Sequence, residues 1–208
     1  MRPQYQSPTQ LYPRPFRHSI PKMNRIFTPL ASIAVLLMLA TLALGLFLRT
    51  GDIRDPYDQR AQSLATWHRQ AGVAAGVFVV LVNSIVVTYF IGAGRWCREV
   101  VETYSLNVEF VRRSNRLKRS TFPLALASIL AIVGLVALGG AADPAARVRL
   151  SPLGELSWTN IHFAAAGATI CFIAYASFIQ SHNIRENHAV INDVMAEVGR
   201  IRKERGLE

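Results

Sequence analysis

Two short stretches pair a histidine with residues of very small side chain. "WHRQAGVAAG" runs from Trp67 to Gly76 and "NIHFAAAGAT" from Asn160 to Thr169. At ~100° per residue along a helix, His68, Gly72, Gly76, Asn83 and Gly94 share one narrow face. His162, Ala166, Thr169, Ile173, Ala176 and Gln180 do the same further along the chain. Gly72 and Gly76 form a GxxxG pair, the kind of surface through which helix backbones approach closely in lipid. Two histidines at one depth on facing helices could ligate a b-type haem from either side, with small residues below making room for the macrocycle. Arg60, Arg69 or Arg147 would then meet the propionates at the aqueous edge. The plainer alternative is that His68, set between Trp67 and Arg69, is an ordinary interfacial residue. A zinc or copper site would need three or four protein ligands, and only Asp143 and Glu155 stand near the same level to supplement the pair.

The elements that position these residues follow from the apolar pattern. With 51% hydrophobic and 17% charged residues among 208, the apolar residues gather into four blocks. Ile26–Leu48, Ala71–Ile91, Phe122–Ala142 and Ile161–Ile179 hold no Asp, Glu, Lys or Arg. About 20 residues at a rise of ~1.5 Å cross the ~30 Å hydrocarbon layer, and each block meets that length. The expected fold is all-α: a bundle of four transmembrane helices, with Asn83 hydrogen-bonded across an interface because an unsatisfied amide in lipid is costly.

The net charge of +10 is a matter of placement. Basic residues crowd before the first span, after the second (Arg95, Arg98, Arg112, Arg113, Arg116, Lys118, Arg119) and after the fourth. The other two connections are sparse. The positive-inside rule therefore puts both termini and the middle loop in the cytoplasm, in the cytoplasmic (inner) membrane. Nucleic acid is not an expected partner, since no aromatic-interleaved basic platform accompanies the charge. In this topology spans two and four both enter from the outer face, which sets His68 and His162 at one level. Each half of the chain then reads as apolar helix, outer loop, histidine, small residues and helix, a possible two-fold repeat of hairpins.

Residues 1–25 carry five prolines among polar neighbours and are expected to be a disordered tail, with 26–208 as the bundle. The first span exceeds the length of a signal-peptide core and reads as a retained anchor. Asp52, Asp55 and Asp58 lack the glycine and glutamate of a calcium loop. Cys97 and Cys171 lie at different depths and read as free thiols; His18, His182 and His188 carry no site. Val101, Tyr104, Val108 and Val111, and then Ile184, Ile191, Val194, Val198 and Ile201, recur at steps near those of an amphipathic helix. Spans two and four are thus expected to extend into the cytoplasm as helix over about 95–120 and 181–205, with a reversal near Ser105–Asn107. No nucleophile elbow, P-loop, HExxH motif or intramembrane carboxylate pair occurs. The leading expectation is a non-catalytic membrane anchor or accessory subunit with no cofactor, docking a protein partner through its cytoplasmic helices, its oligomeric state open. The alternative is a haem b electron-transfer subunit with His68 and His162 as axial ligands.

Overall fold

The computed structural model describes residues 23–50, 59–143 and 156–207, with 146, 148 and 154 between them. The proline-rich segment before Met23, the aspartate loop, Arg147 and Glu155 lie outside the described residues. Four helices follow one another: α1 (Met23–Thr50), α2 (Gln59–Tyr104), α3 (Glu109–Ala142) and α4 (Trp158–Glu204). The helix begins at Met23, so Met23–Arg25 belong to it and not to the tail. Each of the four is long and apolar enough to cross a membrane. Leu36, Phe47, Val77, Leu130 and Phe178 are 61–68% exposed, an apolar girdle on the outside of the bundle. In water such a surface would drive association; against lipid it needs no cover.

Each helix packs on its chain neighbours, and α1 closes the ring against α4, while α1 and α3 stand on a diagonal. The core runs down the axis through Ala34, Met38, Val79, Val86, Phe90, Ile132 and Ile173. α2 and α4 have 46 and 47 residues. At 1.5 Å per residue that is about 70 Å, well over twice a hydrocarbon core. The surplus projects past the start of α1 as a bundle of α2, α3 and α4 with its own core of Cys97, Val101, Leu106, Val190, Val194 and Val198. Arg113 on α3 pairs with Asp193 on α4 at 3.0 Å across it. Val108 does not join this core: it stands 56% exposed in the turn before α3.

The reversal falls where the sequence places it. The Leu106 N–H donates to the Val101 carbonyl at 2.9 Å and the Ser105 N–H to the Glu102 carbonyl at 3.3 Å, the paired bonds of a Schellman cap. Val101 and Leu106 pack together beneath it. Asn107 Oδ1 then accepts the Glu109 N–H at 2.8 Å to start α3. Ser105 holds φ of 51°, the left-handed conformation that such a cap usually gives to glycine. Ser105→Gly should therefore stabilise the protein by about 0.5–1 kcal/mol, allowing for the larger unfolded-state entropy of glycine. Thermal unfolding in detergent would show the gain, and a loss of stability would contradict this account of the turn.

Between the apolar core and this turn lies a ladder of buried polar side chains. Gln180 Nε2 donates to Asn83 Oδ1 at 3.0 Å, and Asn83 Nδ2 donates to the Val79 carbonyl at 2.9 Å. Asn183 Nδ2 donates to Thr121 Oγ1 at 2.9 Å and to Ser120 Oγ at 3.0 Å. Asn187 accepts from Ser114 Oγ at 2.9 Å and donates to Tyr89 at 3.1 Å. Amides on α4 thus fasten α2 and α3, and the transverse bond expected of Asn83 is made to Gln180. Cys97 and Cys171 are free thiols, one buried and one exposed.

Candidate functional site

The two histidines meet. His68 on α2 and His162 on α4 bring their ring centroids to 6.4 Å, with the ring planes 87° apart. α4 enters with Ser157 as its N-cap, accepting the Asn160 N–H at 3.3 Å, which sets His162 in the first turns of the helix. His68 lies further into α2, beyond two turns of polar helix.

The surroundings of each ring come from the helix before it in the chain. His68 Nδ1 lies 3.1 Å from the Thr41 carbonyl on α1. A carbonyl oxygen only accepts, so Nδ1 donates, which in the neutral ring leaves the lone pair on Nε2. The edge of the same ring rests on Gly45, where an added Cβ would stand 2.9 Å from Cε1. His162 has the matching arrangement on α3. A Cβ on Gly139 would stand 3.1 Å from its Cε1, and Leu135 supplies the facing carbonyl. That contact falls short of a full hydrogen bond, so His162 Nδ1 is buried without a closed partner. Neither Nε2 has a hydrogen-bond partner among the described residues.

The two halves keep one register. Gly45 and Gly139 are 94 positions apart, as are His68 and His162, and Thr41 and Leu135. The same offset aligns Pro29-Leu30-Ala31 with Pro123-Leu124-Ala125, and Ala43-Leu44-Gly45 with Ala137-Leu138-Gly139. Both prolines lie inside their helices, α1 and α3.

A cavity of about 540 Å³ opens between all four helices at this level. That is within the range of about 300–1,000 Å³ found for small-molecule and cofactor sites. Its walls are apolar, with Met38, Leu42, Ile132 and Phe163 among them, and Gly72, Ala75 and Ala166 hollow it out. Charge appears at one end only. Arg69 Nη1 pairs with Asp143 Oδ2 at 3.2 Å, and the Arg49 guanidinium lies 5.2 Å from the centre of the Phe163 ring. Arg49, Arg69 and Asp143 all border the cavity.

Of the residues singled out in the sequence, His68, His162, Gly72, Ala166 and Arg69 line the cavity, whereas Arg60 does not. Gly76 meets α3, where a Cβ would come within 3.3 Å of Val136 Cγ2. Thr169 is buried. At Gly94 an added Cβ would meet nothing within 4 Å, so the close approach expected there is not made. Among the described residues no three His, Cys, Asp or Glu side chains converge, so a zinc-type donor set is not assembled. His182 is exposed and His188 half-buried on the far stretch of α4. Gly45, Gly139, Thr41, Leu135 and Arg49 were not expected at the site. Comparison with protein-family models, with curated proteins and with solved structures finds no match to this chain.

Proposed function

We propose that the chain is a haem b-binding electron-transfer protein of the cytoplasmic membrane, with His68 and His162 as axial ligands. Its four helices span the bilayer, its termini and long helical extensions lie in the cytoplasm, and its halves descend from one duplicated hairpin. The observation that carries this reading is the facing histidine pair, posed alike on two glycines of the preceding helices. A metal–imidazole bond is about 2.0–2.1 Å, so two imidazoles that would hold one metal stand close together, with ring centroids about 6 Å apart. The pair stands at 6.4 Å. Edge-to-face packing of two rings also allows that spacing. It gives no reason, however, for both rings to be seated on glycines beside a cavity of this volume.

The residues fit the group in other respects. The Nδ1 hydrogen bond to Thr41 fixes the orientation of His68 and would raise its basicity as a ligand, as partners of ligating histidines commonly do, and the Leu135 carbonyl faces His162 Nδ1 in the same way. The apolar walls exclude water, and Arg49 and Arg69 provide cationic partners for propionate carboxylates. Haem held in this way supplies one-electron chemistry. Such a carrier works between a donor and an acceptor, which suits the role of a subunit in a membrane complex and needs no catalytic constellation.

The test is an absorption spectrum of the protein purified in mild detergent from cells that load haem into other membrane proteins. A Soret band that shifts on reduction, with a sharp α band, is the expected result; a colourless preparation sinks the proposal. The glycines add a graded check. Gly45→Ala and Gly139→Ala push a Cβ to within 2.9 and 3.1 Å of a ligand ring and should weaken haem retention. Changes beside ligating histidines typically cost about 10–100-fold in affinity. Gly94→Ala meets nothing within 4 Å, lies outside the cavity lining and should leave haem retention nearly unchanged. Equal haem retention in all three variants would count against the ring–glycine contact.

A further inference from the structure

The histidine site occupies one end of the bundle and has no counterpart at the other among the described residues. Its deepest wall residues are Met38, Ala75, Ile132 and Ile170. Beyond them the axis is filled, first by Val79 and Ile173, then by the Asn83–Gln180 amide pair, all at most 4% exposed. From Ala75 to the end of the apolar block at Ile91 is 16 residues of continuous helix, or about 24 Å. No second histidine pair stands in that stretch among the described residues; His182 and His188 share one helix and lie outside its core. At the opposite end the cavity is bordered by Arg49, Arg69 and Asp143, and the Arg69 side chain is 55% exposed.

Resting on the haem reading above, we propose that electrons enter and leave this site only through the histidine end of the bundle. The protein then serves a one-electron carrier in the outer aqueous phase and does not pass electrons across the membrane. Electron tunnelling falls exponentially with distance. The exposed arginine rim is the short route, and the packed amide ladder separates the site from the cytoplasmic face.

Ferricyanide, a membrane-impermeant one-electron oxidant, tests this on the full-length protein in native membranes. The site passes from ferrous to ferric, ferricyanide becomes ferrocyanide, and no bond is made or broken. Vesicles with the outer face outward and inverted vesicles are reduced, freed of reductant and mixed with ferricyanide while the α band is followed. Oxidation should be at least about tenfold faster with the outer face outward, and detergent should make the two rates equal. Equal rates in sealed vesicles, or faster oxidation in inverted ones, would overturn the one-sided route while leaving the haem in place. So would a site inert to ferricyanide on both faces yet oxidised by a short-chain quinone, which would make the carrier lipid-borne. A colourless preparation of the purified protein would instead remove the haem reading itself, and this inference with it.

Discussion

His68→Ala and His162→Ala are each expected to abolish the haem absorbance of the purified protein, and His182→Ala to leave it intact. The two histidine positions are alike in the geometry: each imidazole rests on a glycine one helix back, and the ring centroids stand 6.4 Å apart, although only His68 closes its Nδ1 hydrogen bond. A change in the outer shell of a ligating histidine costs about 10–100-fold in affinity, so removal of the ligand itself must cost more. Loss of the fold is a poor explanation for such a result. Both histidines stand inside helices of 46 and 47 residues, and alanine is the better helix former. Circular dichroism should therefore read nearly as in the parent protein. Imidazole added to His162→Gly should restore part of the low-spin spectrum, which a packing role for the ring would not produce. A single alanine variant with the parental spectrum would remove that histidine from the site. His182 is the control because it is exposed on the far stretch of α4.

The spans were legible because lipid permits few alternatives. Backbone groups in hydrocarbon must be satisfied internally, so four uncharged blocks of this length leave little choice but helix. The turn at Ser105–Asn107 was legible from the change of pattern there, and His68 and His162 from the small residues that follow them. Gly45 and Gly139 were not, because the blocks of α1 and α3 that hold them are apolar on all sides and show no face to a periodicity argument. The signal that reveals them is the constant offset of 94 positions, with Gly45 before His68 and Gly139 before His162. Gly94 was assigned to the packing face by extending a straight wheel 26 residues from His68. A straight helix drifts by ~20° per heptad against a bundle seam, about 75° over that distance, which is enough to turn Gly94 away. Asn183 and Asn187 look like the polar face of an amphipathic helix, yet they are 6% and 0% exposed. Their polarity is satisfied by α2 and α3, and composition alone does not distinguish an amide facing water from one facing a hydroxyl.

Asn187 is the most consequential position outside the histidine site. Asn187→Leu should lower the stability of the bundle by about 2–4 kcal/mol, because it leaves two other polar groups short of a partner. Ser114, 3% exposed, loses the acceptor for its hydroxyl, and Tyr89 loses the amide donor at 3.1 Å. Leucine shares the branched skeleton of asparagine but is bulkier, so the cost arises from the stranded groups and some crowding and not from a void. For a chain of this size the loss is a fall in Tm of roughly 5–15 °C. The Ser114→Ala change removes one stranded group in advance. Asn187→Leu made in that background should therefore cost less than in the parent protein, by an interaction energy of about 0.5–3 kcal/mol. Additive costs would mean that Ser114 and Asn187 do not share the bond. The haem spectrum is the discriminating control: Asn187 lies past Gln180 on α4, away from the cavity, so the variant should unfold at lower temperature while keeping parental bands until it does. A spectrum altered well below the unfolding temperature would mean instead that the amide ladder and the histidine level move together.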